Sequence, residues 1–299
     1  MNYAMAWDFR VTLDLFLGGL GVGAFLTAIL GSYLNSRYYS NLIKKGFIVA
    51  PVAVSLGVIF LLTELGRPER FLTTMFHFNP GSAMSWGAFL QVFFMVVALL
   101  MAWQAIKGQQ ASNVLKVIGT ILALGVGLYH GALLTSSGSN PLWNDGLVPV
   151  IFFVSSILAG CSFVLLLNSF GAAARQIARV EAAAGAEKNE SFDFRVLLVV
   201  LLVFQLVATG LWMISLGRTG LYASGALQLF FAAHGALWWA GAVGLGLVLP
   251  LVLAVVALKQ NTKEIPGGLM SIISLSILVG GFIMKQVILT VGQIKFPIF

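Results

Sequence analysis

Eight long stretches of hydrophobic residues dominate this chain, and short polar segments separate them. A helix needs roughly 20 apolar residues to cross the ~30 Å hydrocarbon core of a bilayer. The pattern therefore predicts an all-α integral membrane protein with eight transmembrane helices. We place these spans at residues 11–34, 46–65, 85–105, 114–136, 147–169, 194–217, 227–257 and 267–292.

The composition agrees with this class. Of 299 residues, 59% are hydrophobic and 9% are charged, whereas soluble domains carry about 25% charged residues. The single Cys161 has no partner for an internal disulfide, and it cannot alone hold an iron–sulfur cluster, which needs about four ligands. The first ten residues lack the basic start of a signal peptide, so we expect no removable leader.

Lysine and arginine are more frequent in the loops after spans one, three, five and seven. That side carries Arg37, Lys44, Lys45, Lys107, Arg175, Arg179, Lys188, Lys259 and Lys263, and the other side carries Arg10, Arg67, Arg70, Arg218 and Lys295. The positive-inside rule places the richer side in the cytoplasm and both termini on the periplasmic, outer side. The net charge of +7 is scattered over short loops, so it signals topology rather than nucleic-acid binding.

Four ionisable residues lie inside or at the edge of the apolar spans: Asp14, Glu64, Arg67 and His130. A charge in hydrocarbon costs at least ~2.5 kcal/mol, so such residues usually have a function. The predicted spans place all four in the outer third of the membrane. Because three separate spans place these ionisable residues at the same depth, a common pocket is favoured.

Each of these residues also has a purely structural interpretation. Asp14 lies near the outer end of span one, so its side chain could simply extend to the membrane interface. The glycines of LFLGGLGVGAF, however, would let a helix or a ligand approach it closely. Glu64 and Arg67 stand three residues apart and could neutralise each other where the helix ends. His130 could exchange protons near neutral pH, or it could bond a backbone carbonyl in the core.

Short similarities suggest an internal repeat of four spans. TELGRPERF after span two matches ISLGRTGLY after span six, and YHGALLTSSG matches MKQVILTVG. Two four-helix bundles in the same orientation, residues 1–140 and 141–299, would follow. The second half carries Arg218, His234, Lys285 and Gln286, which are candidates for a proton pathway. Lys285 and Gln286 form a second buried polar position, and Lys285 could alternatively bond carbonyls at a bundle seam.

Two polar segments predict that the outer face carries projecting structure rather than a flat surface. PERFLTTMFHFNP interleaves aromatic and polar residues, as a short interfacial helix does. SSGSNPLWNDG is rich in turn residues, and its Trp143 suits the membrane edge. Together these segments favour docking of a partner there.

The chain resembles the NrfD/polysulfide-reductase membrane-subunit family. The resemblance covers nearly the whole chain and rests on four segments: LFLGGLGVGAF, LGRPERF, SAMSWGAF and NPLWNDGLVPVIFF. It implies two four-helix bundles and a subunit without its own redox centre in a prokaryotic cytoplasmic membrane. It also implies a quinone or quinol, with menaquinone as the expected type, bound near the outer face. An iron–sulfur subunit of ferredoxin type would dock on that face, with a molybdopterin catalytic subunit beyond it.

The family's quinone site lies in the first bundle, so the resemblance implies a site at Asp14, Glu64, Arg67 and His130. We expect His130 and Asp14 to bond the quinone oxygens and exchange protons, Glu64 to relay protons outward, and Arg67 to shape the pocket mouth. Trp86 would pack the ring, and Tyr129 and Ser136 would add hydrogen bonds. Either direction of electron flow fits. A secondary transporter and a subunit with one haem b between His130 and His234 remain alternatives.

Overall fold

The computed structural model describes residues 7–34, 36, 39–64, 78–136, 140–170, 192–218, 220–259 and 267–293. Within these ranges all regular secondary structure is helical. In this described part of the protein, eight helices are long and apolar enough to cross a membrane, which confirms the predicted class of a multi-pass, all-α membrane protein. Arg67, Ser137 and most of PERFLTTMFHFNP lie outside the described residues.

The first six spans are continuous α-helices, the seventh has three consecutive segments, and the eighth is again continuous. The helices are α1 Phe9–Leu34, α2 Ser40–Glu64, α3 Ala83–Ile106, α4 Asn113–Ser136, α5 Leu147–Ser169, α6 Phe194–Arg218, α7 Leu221–Ala236, the π-helical segment π1 Leu237–Val248, α8 Leu249–Lys259 and α9 Gly267–Val291.

Two spans begin six residues earlier than predicted. Helix α2 starts at Ser40 rather than residue 46, and α7 starts at Leu221 rather than residue 227. Hydropathy detects only the apolar part of a helix, whereas the helix continues where polar side chains find partners. In α2, Lys45 Nζ donates a hydrogen bond to the carbonyl oxygen of Leu167 at 2.8 Å.

Helix α1 is the central element of the structure. It packs against α2, α4, α5 and α9, and most of its residues are buried. A Cβ added at Gly23 would collide with the carbonyl oxygen of Ser156, and one added at Gly160 would collide with the backbone of Gly23 and Ala24. Small residues thus let the α1 and α5 backbones touch, as in membrane helix pairs generally.

The other helices pack around α1 and α5. Helix α3 packs against α2 and α4, α6 packs against α5 and α8, and α9 packs against α5 and π1. The outer sides of α3 and α4 expose large apolar residues such as Phe93 and Ile121. An apolar exterior of this kind is expected where lipid replaces water as the solvent.

The first four spans define two opposite ends of the molecule. At the Glu64 end, α1 begins and α2 and α4 end; at the Lys116 end, α1 and α3 end and α2 and α4 begin. The Glu64 end corresponds to the side that the charge bias predicts to be periplasmic.

Candidate functional site

Three of the residues singled out in the sequence converge on one buried position. Asp14 of α1, His130 of α4 and Lys285 of α9 are 5%, 1% and 1% exposed, respectively. The Lys285 ammonium is close enough to act electrostatically on both other side chains. We call Asp14, His130 and Lys285 the polar cluster.

Lys285 is fixed by helices of both halves of the molecule. Its Nζ donates hydrogen bonds to the carbonyl oxygen of Leu15 in α1 at 2.9 Å and to Ser156 Oγ in α5 at 3.1 Å. A Cβ at Gly19 would lie only 2.7 Å from Nζ, so glycine is what leaves room for the ammonium. The sequence suggests either a separate polar position in the second half or a bond to carbonyls; in the structure the side chain bonds the carbonyl oxygen of Leu15, the residue after Asp14 in α1.

His130 packs against the glycine-rich face of α1. A Cβ added at Gly18 would lie 2.9 Å from His130 Cε1, so the imidazole occupies space that only glycine leaves free. Within the described part of the protein, neither imidazole nitrogen has a hydrogen-bond partner. The carbonyl bond of an ordinary core histidine is therefore not formed among these residues.

Asp14 also interacts with polar groups of α3 and α4. Its carboxyl group interacts with the side-chain amide of Gln91 in α3, and its charge acts on the Tyr129 hydroxyl in α4. Neither Asp14 Oδ1 nor Gln91 Nε2 makes a hydrogen bond of normal geometry to a described residue. Sequence reasoning missed Gln91 and Ser156, although Gln91 is a lone amide in the middle of an apolar span and Ser156 belongs to a Ser-Ser pair in another.

Glu64 belongs to a different group at the surface. Arg10 Nη2 pairs with Asp8 Oδ2 at 2.9 Å and also with Glu64, so it ties the start of α1 to the end of α2. The guanidinium holds the pKa of the Asp8 carboxyl below its usual value. Arg10, whose position in the sequence indicates only topology, is thus the described partner of Glu64, and Arg67 lies outside the described residues.

The other candidates have local partners or lie at the surface. Trp86 is 49% exposed and donates to the Pro80 carbonyl, and Ser136 Oγ donates to the Leu133 carbonyl of its own helix. Gln286 Nε2 donates to Thr290 Oγ1. His234 is half-buried on α7, and Arg218 is exposed at the end of α6.

Trp143 lies at the Glu64 end, as the turn-rich segment suggested, but it is buried. Its Nε1 donates to the Ile288 carbonyl at 2.9 Å, and its ring stacks on Trp7. It therefore anchors the segment before α5 to α9 instead of facing the membrane edge.

The polar cluster has a defined chemical capacity. Buried polar atoms are nearly always hydrogen-bonded in proteins, yet Asp14 Oδ1, Gln91 Nε2 and both His130 nitrogens lack partners among the described residues. A carboxylate, an imidazole and an ammonium at one apolar position can bind an oxygen-bearing ligand and move protons. No group of three or more His, Cys, Asp or Glu suited to a metal occurs in the described ranges.

Comparison with known proteins finds several relatives of similar sequence. The protein is 28% identical to the C chain of polysulfide reductase from Wolinella succinogenes, over 97% of its own length and 95% of that relative. It is 29% identical to protein NrfD of Escherichia coli, and the match covers 84% of both sequences. About half of the sequence (49%) matches 38% of the Hdr-like menaquinol oxidoreductase integral membrane subunit of Archaeoglobus fulgidus at 23% identity.

A family model described as polysulphide reductase, NrfD, matches residues 1–297, almost the entire sequence. The match includes every span and every residue of the polar cluster. The chain therefore belongs to the NrfD family of polysulphide reductase membrane proteins.

Proposed function

We propose that this protein is the quinone-reactive membrane subunit of a respiratory oxidoreductase and that its polar cluster binds the quinone head group. The observation that carries the proposal is the convergence of buried Asp14, His130 and Lys285, with unpartnered atoms on the first two. A quinone head group has two oxygens that accept or donate hydrogen bonds, and an apolar ring and tail that suit the surrounding helices. The cluster residues fit such a group.

The names of the relatives support this assignment. One relative is a component of polysulfide reductase and another is a subunit of a menaquinol oxidoreductase. Both are parts of multi-subunit redox enzymes, and the second name includes a quinol. We therefore infer that menaquinone is the quinone used.

The protein's own residues would handle protons. A quinol that is oxidised releases two electrons and two protons. His130 is placed to accept or donate a proton through an imidazole nitrogen, and Asp14 through its carboxyl oxygen. Lys285 stabilises the Asp14 carboxylate through its positive charge, and Gln91 and Tyr129 orient that carboxyl group. Protons that leave the site would reach the outer water near Glu64 and Arg10, at the Glu64 end.

We also propose the architecture that the resemblance implies. Spans one to four and spans five to eight would form two four-helix bundles, divided near residue 140, with both termini on the periplasmic side. The packing of α3 on α2 and α4, and of α9 on α5 and π1, supports this grouping. Since Lys285 comes from the second group, the site would lie at the seam of the bundles rather than inside the first.

The partners follow from the same proposal. Electrons from the quinol would pass to an iron–sulfur subunit at the Glu64 end and from it to a molybdopterin catalytic subunit. Gentle purification of the tagged protein should recover these polypeptides, with iron, sulfide and molybdenum in the complex. Recovery of the protein without any metal-containing partner would contradict this part of the proposal.

The quinone site is tested by paired histidine variants in the assembled complex. His130→Ala should lower the rate of quinol-dependent electron transfer by at least about 100-fold, the lower end of what a positioned general acid or base contributes. His234→Ala, a half-buried histidine on another helix, is the matched control and should retain the rate. Full turnover in His130→Ala, and also in the double variant with Asp14→Asn, would show that the site is elsewhere.

A further inference from the structure

A polar cavity lies at the opposite end of the first four spans from the polar cluster. It is about 480 Å³ in volume, and Lys44 and Lys116 line it together with Ser32, Ser40, Asn41 and Gln110. The cavity is formed where α1 and α3 end and α2 and α4 begin. The quinone chemistry proposed above makes no use of it.

Lys116 is an unusual component of this cavity. It is 92% buried, since only 8% of its surface is exposed. Its Nζ lies 5.2 Å from the centre of the Tyr33 ring, but it makes no hydrogen bond or ion pair with any described residue. Its ammonium lies on the cavity wall with no counter-charge among the described residues, so it is suited to meet an anion from outside the protein.

The rest of the lining favours an anion over a cation or a neutral apolar group. Lys44 adds a second positive charge, and none of the described residues that line the cavity is acidic. The hydroxyls of Ser36 and Ser40 and the side-chain amides of Asn41 and Gln110 can donate hydrogen bonds to oxygen atoms. One wall is tied together by Gln110 Nε2, which donates to Ser36 Oγ at 3.4 Å.

Size and position narrow the chemistry of the anion. The cavity is far larger than a chloride ion needs, and it opens at the level where the charge bias places the cytoplasmic headgroups. Basic pockets between transmembrane helices on that side typically bind phosphate-bearing headgroups. We propose that this cavity is a binding site for a phosphate group, carried by an anionic phospholipid or by a free phosphate compound, with Lys116 and Lys44 as its ligands.

The test measures binding to the full-length protein in detergent by the shift in its thermal denaturation midpoint. Phosphatidylglycerol, phosphatidylcholine and inorganic phosphate are titrated separately. Phosphatidylglycerol should stabilise the wild type at lower concentration than phosphatidylcholine. Lys116→Gln and Lys44→Gln should each weaken the phosphatidylglycerol affinity about fivefold, as expected for one lysine near a charged headgroup.

Lys107→Gln is the matched control. Lys107 lies at the same end, but its ammonium stacks on the exposed Trp103 ring instead of lining the cavity, so the affinity should not change. Lys116→Arg keeps the charge and should bind like the wild type. If Lys116→Gln does not fold, Lys44→Gln decides the result.

The separate titrations of lipids and inorganic phosphate also identify the source of the phosphate group. Stabilisation by inorganic phosphate that Lys116→Gln abolishes assigns a free phosphate compound, and stabilisation by phosphatidylglycerol alone assigns a lipid. The proposal is overturned if phosphatidylcholine and phosphatidylglycerol act equally with no effect of phosphate, or if the variants that lack Lys116 or Lys44 keep the wild-type preference.

Discussion

Lys285 shows how one residue joins parts of the protein that are distant in sequence. It leaves the last span, bonds the Leu15 carbonyl 270 residues away, and interacts electrostatically with the Asp14 carboxyl group. A buried charge is tolerated when an opposite charge and hydrogen bonds compensate it. Asp14 and Lys285 therefore depend on each other for stability as well as for any proton chemistry.

This dependence predicts a coupled effect on stability. Lys285→Met leaves the Asp14 carboxyl without its cation and should lower the free energy of unfolding by about 3 kcal/mol. Adding Asp14→Asn removes the uncompensated charge and should recover about 1 kcal/mol. Thermal denaturation in detergent measures Lys285→Met, Asp14→Asn and the double variant, with Lys107→Met as a surface control. A double variant whose loss equals the sum of the two single losses would contradict the coupling.

Gln91 gives a second prediction at the residue scale, one that separates binding from stability. Its amide nitrogen lacks a hydrogen-bond partner among the described residues, so Gln91→Leu should leave the melting temperature nearly unchanged. If the amide orients Asp14 for the quinone, the KM for quinol should rise about three- to tenfold, the value of one hydrogen bond.

The matched control for that variant is Gln205→Leu. Gln205 is also buried, but its amide nitrogen donates to Met284 Sδ in the second half of the protein. Steady-state kinetics of the assembled complex should show no rise in its KM for quinol. Equal KM values for wild type and Gln91→Leu would remove Gln91 from the site.

At the scale of helices, glycine determines how closely α1 can approach its neighbours. The Gly23–Gly160 contact brings two backbones together, so no rotation of a side chain can relieve an added methyl group. The π-helical segment has a similar contact, since Gly246 packs on the backbone of Gly280 in α9. Close packing of this kind holds Lys285 at a fixed distance from α1.

A glycine-to-alanine substitution should destabilise the protein at the α1–α5 contact but not at an open position on α6. Gly23→Ala should destabilise the protein by at least about 1–3 kcal/mol, the usual cost of overpacking. Gly210→Ala on α6, where an added Cβ meets nothing within 4 Å, should be neutral or stabilise by up to about 1 kcal/mol. The midpoints of thermal denaturation compare the two variants, and equal midpoints would show that the α1–α5 interface can separate without cost.

The limits of sequence reasoning are clearest at the scale of the whole molecule. The spans follow from hydropathy because the bilayer requires long apolar helices, and Asp14 and His130 were found because charges stand out there. A carbonyl bond of Lys285 was one of the two sequence interpretations, but its partner in α1 could not be predicted, since that depends on how distant helices pack. Arg10 was assigned only to topology, because nothing local indicates that it reaches Glu64. The π-helical segment Leu237–Val248 has the same composition as an α-helical span.

The orientation of the molecule is the remaining prediction, and it can be measured in intact cells. Asn144 and Gln109 are exposed residues in loops at opposite ends, and the native Cys161 is buried. A membrane-impermeant maleimide should therefore label Asn144→Cys in whole cells, whereas Gln109→Cys should react only after the membrane is opened. The reverse pattern would place the Glu64 end in the cytoplasm. The proposed proton exit and the iron–sulfur partner would then lie on the cytoplasmic side, while the cavity lined by Lys116 would face the exterior.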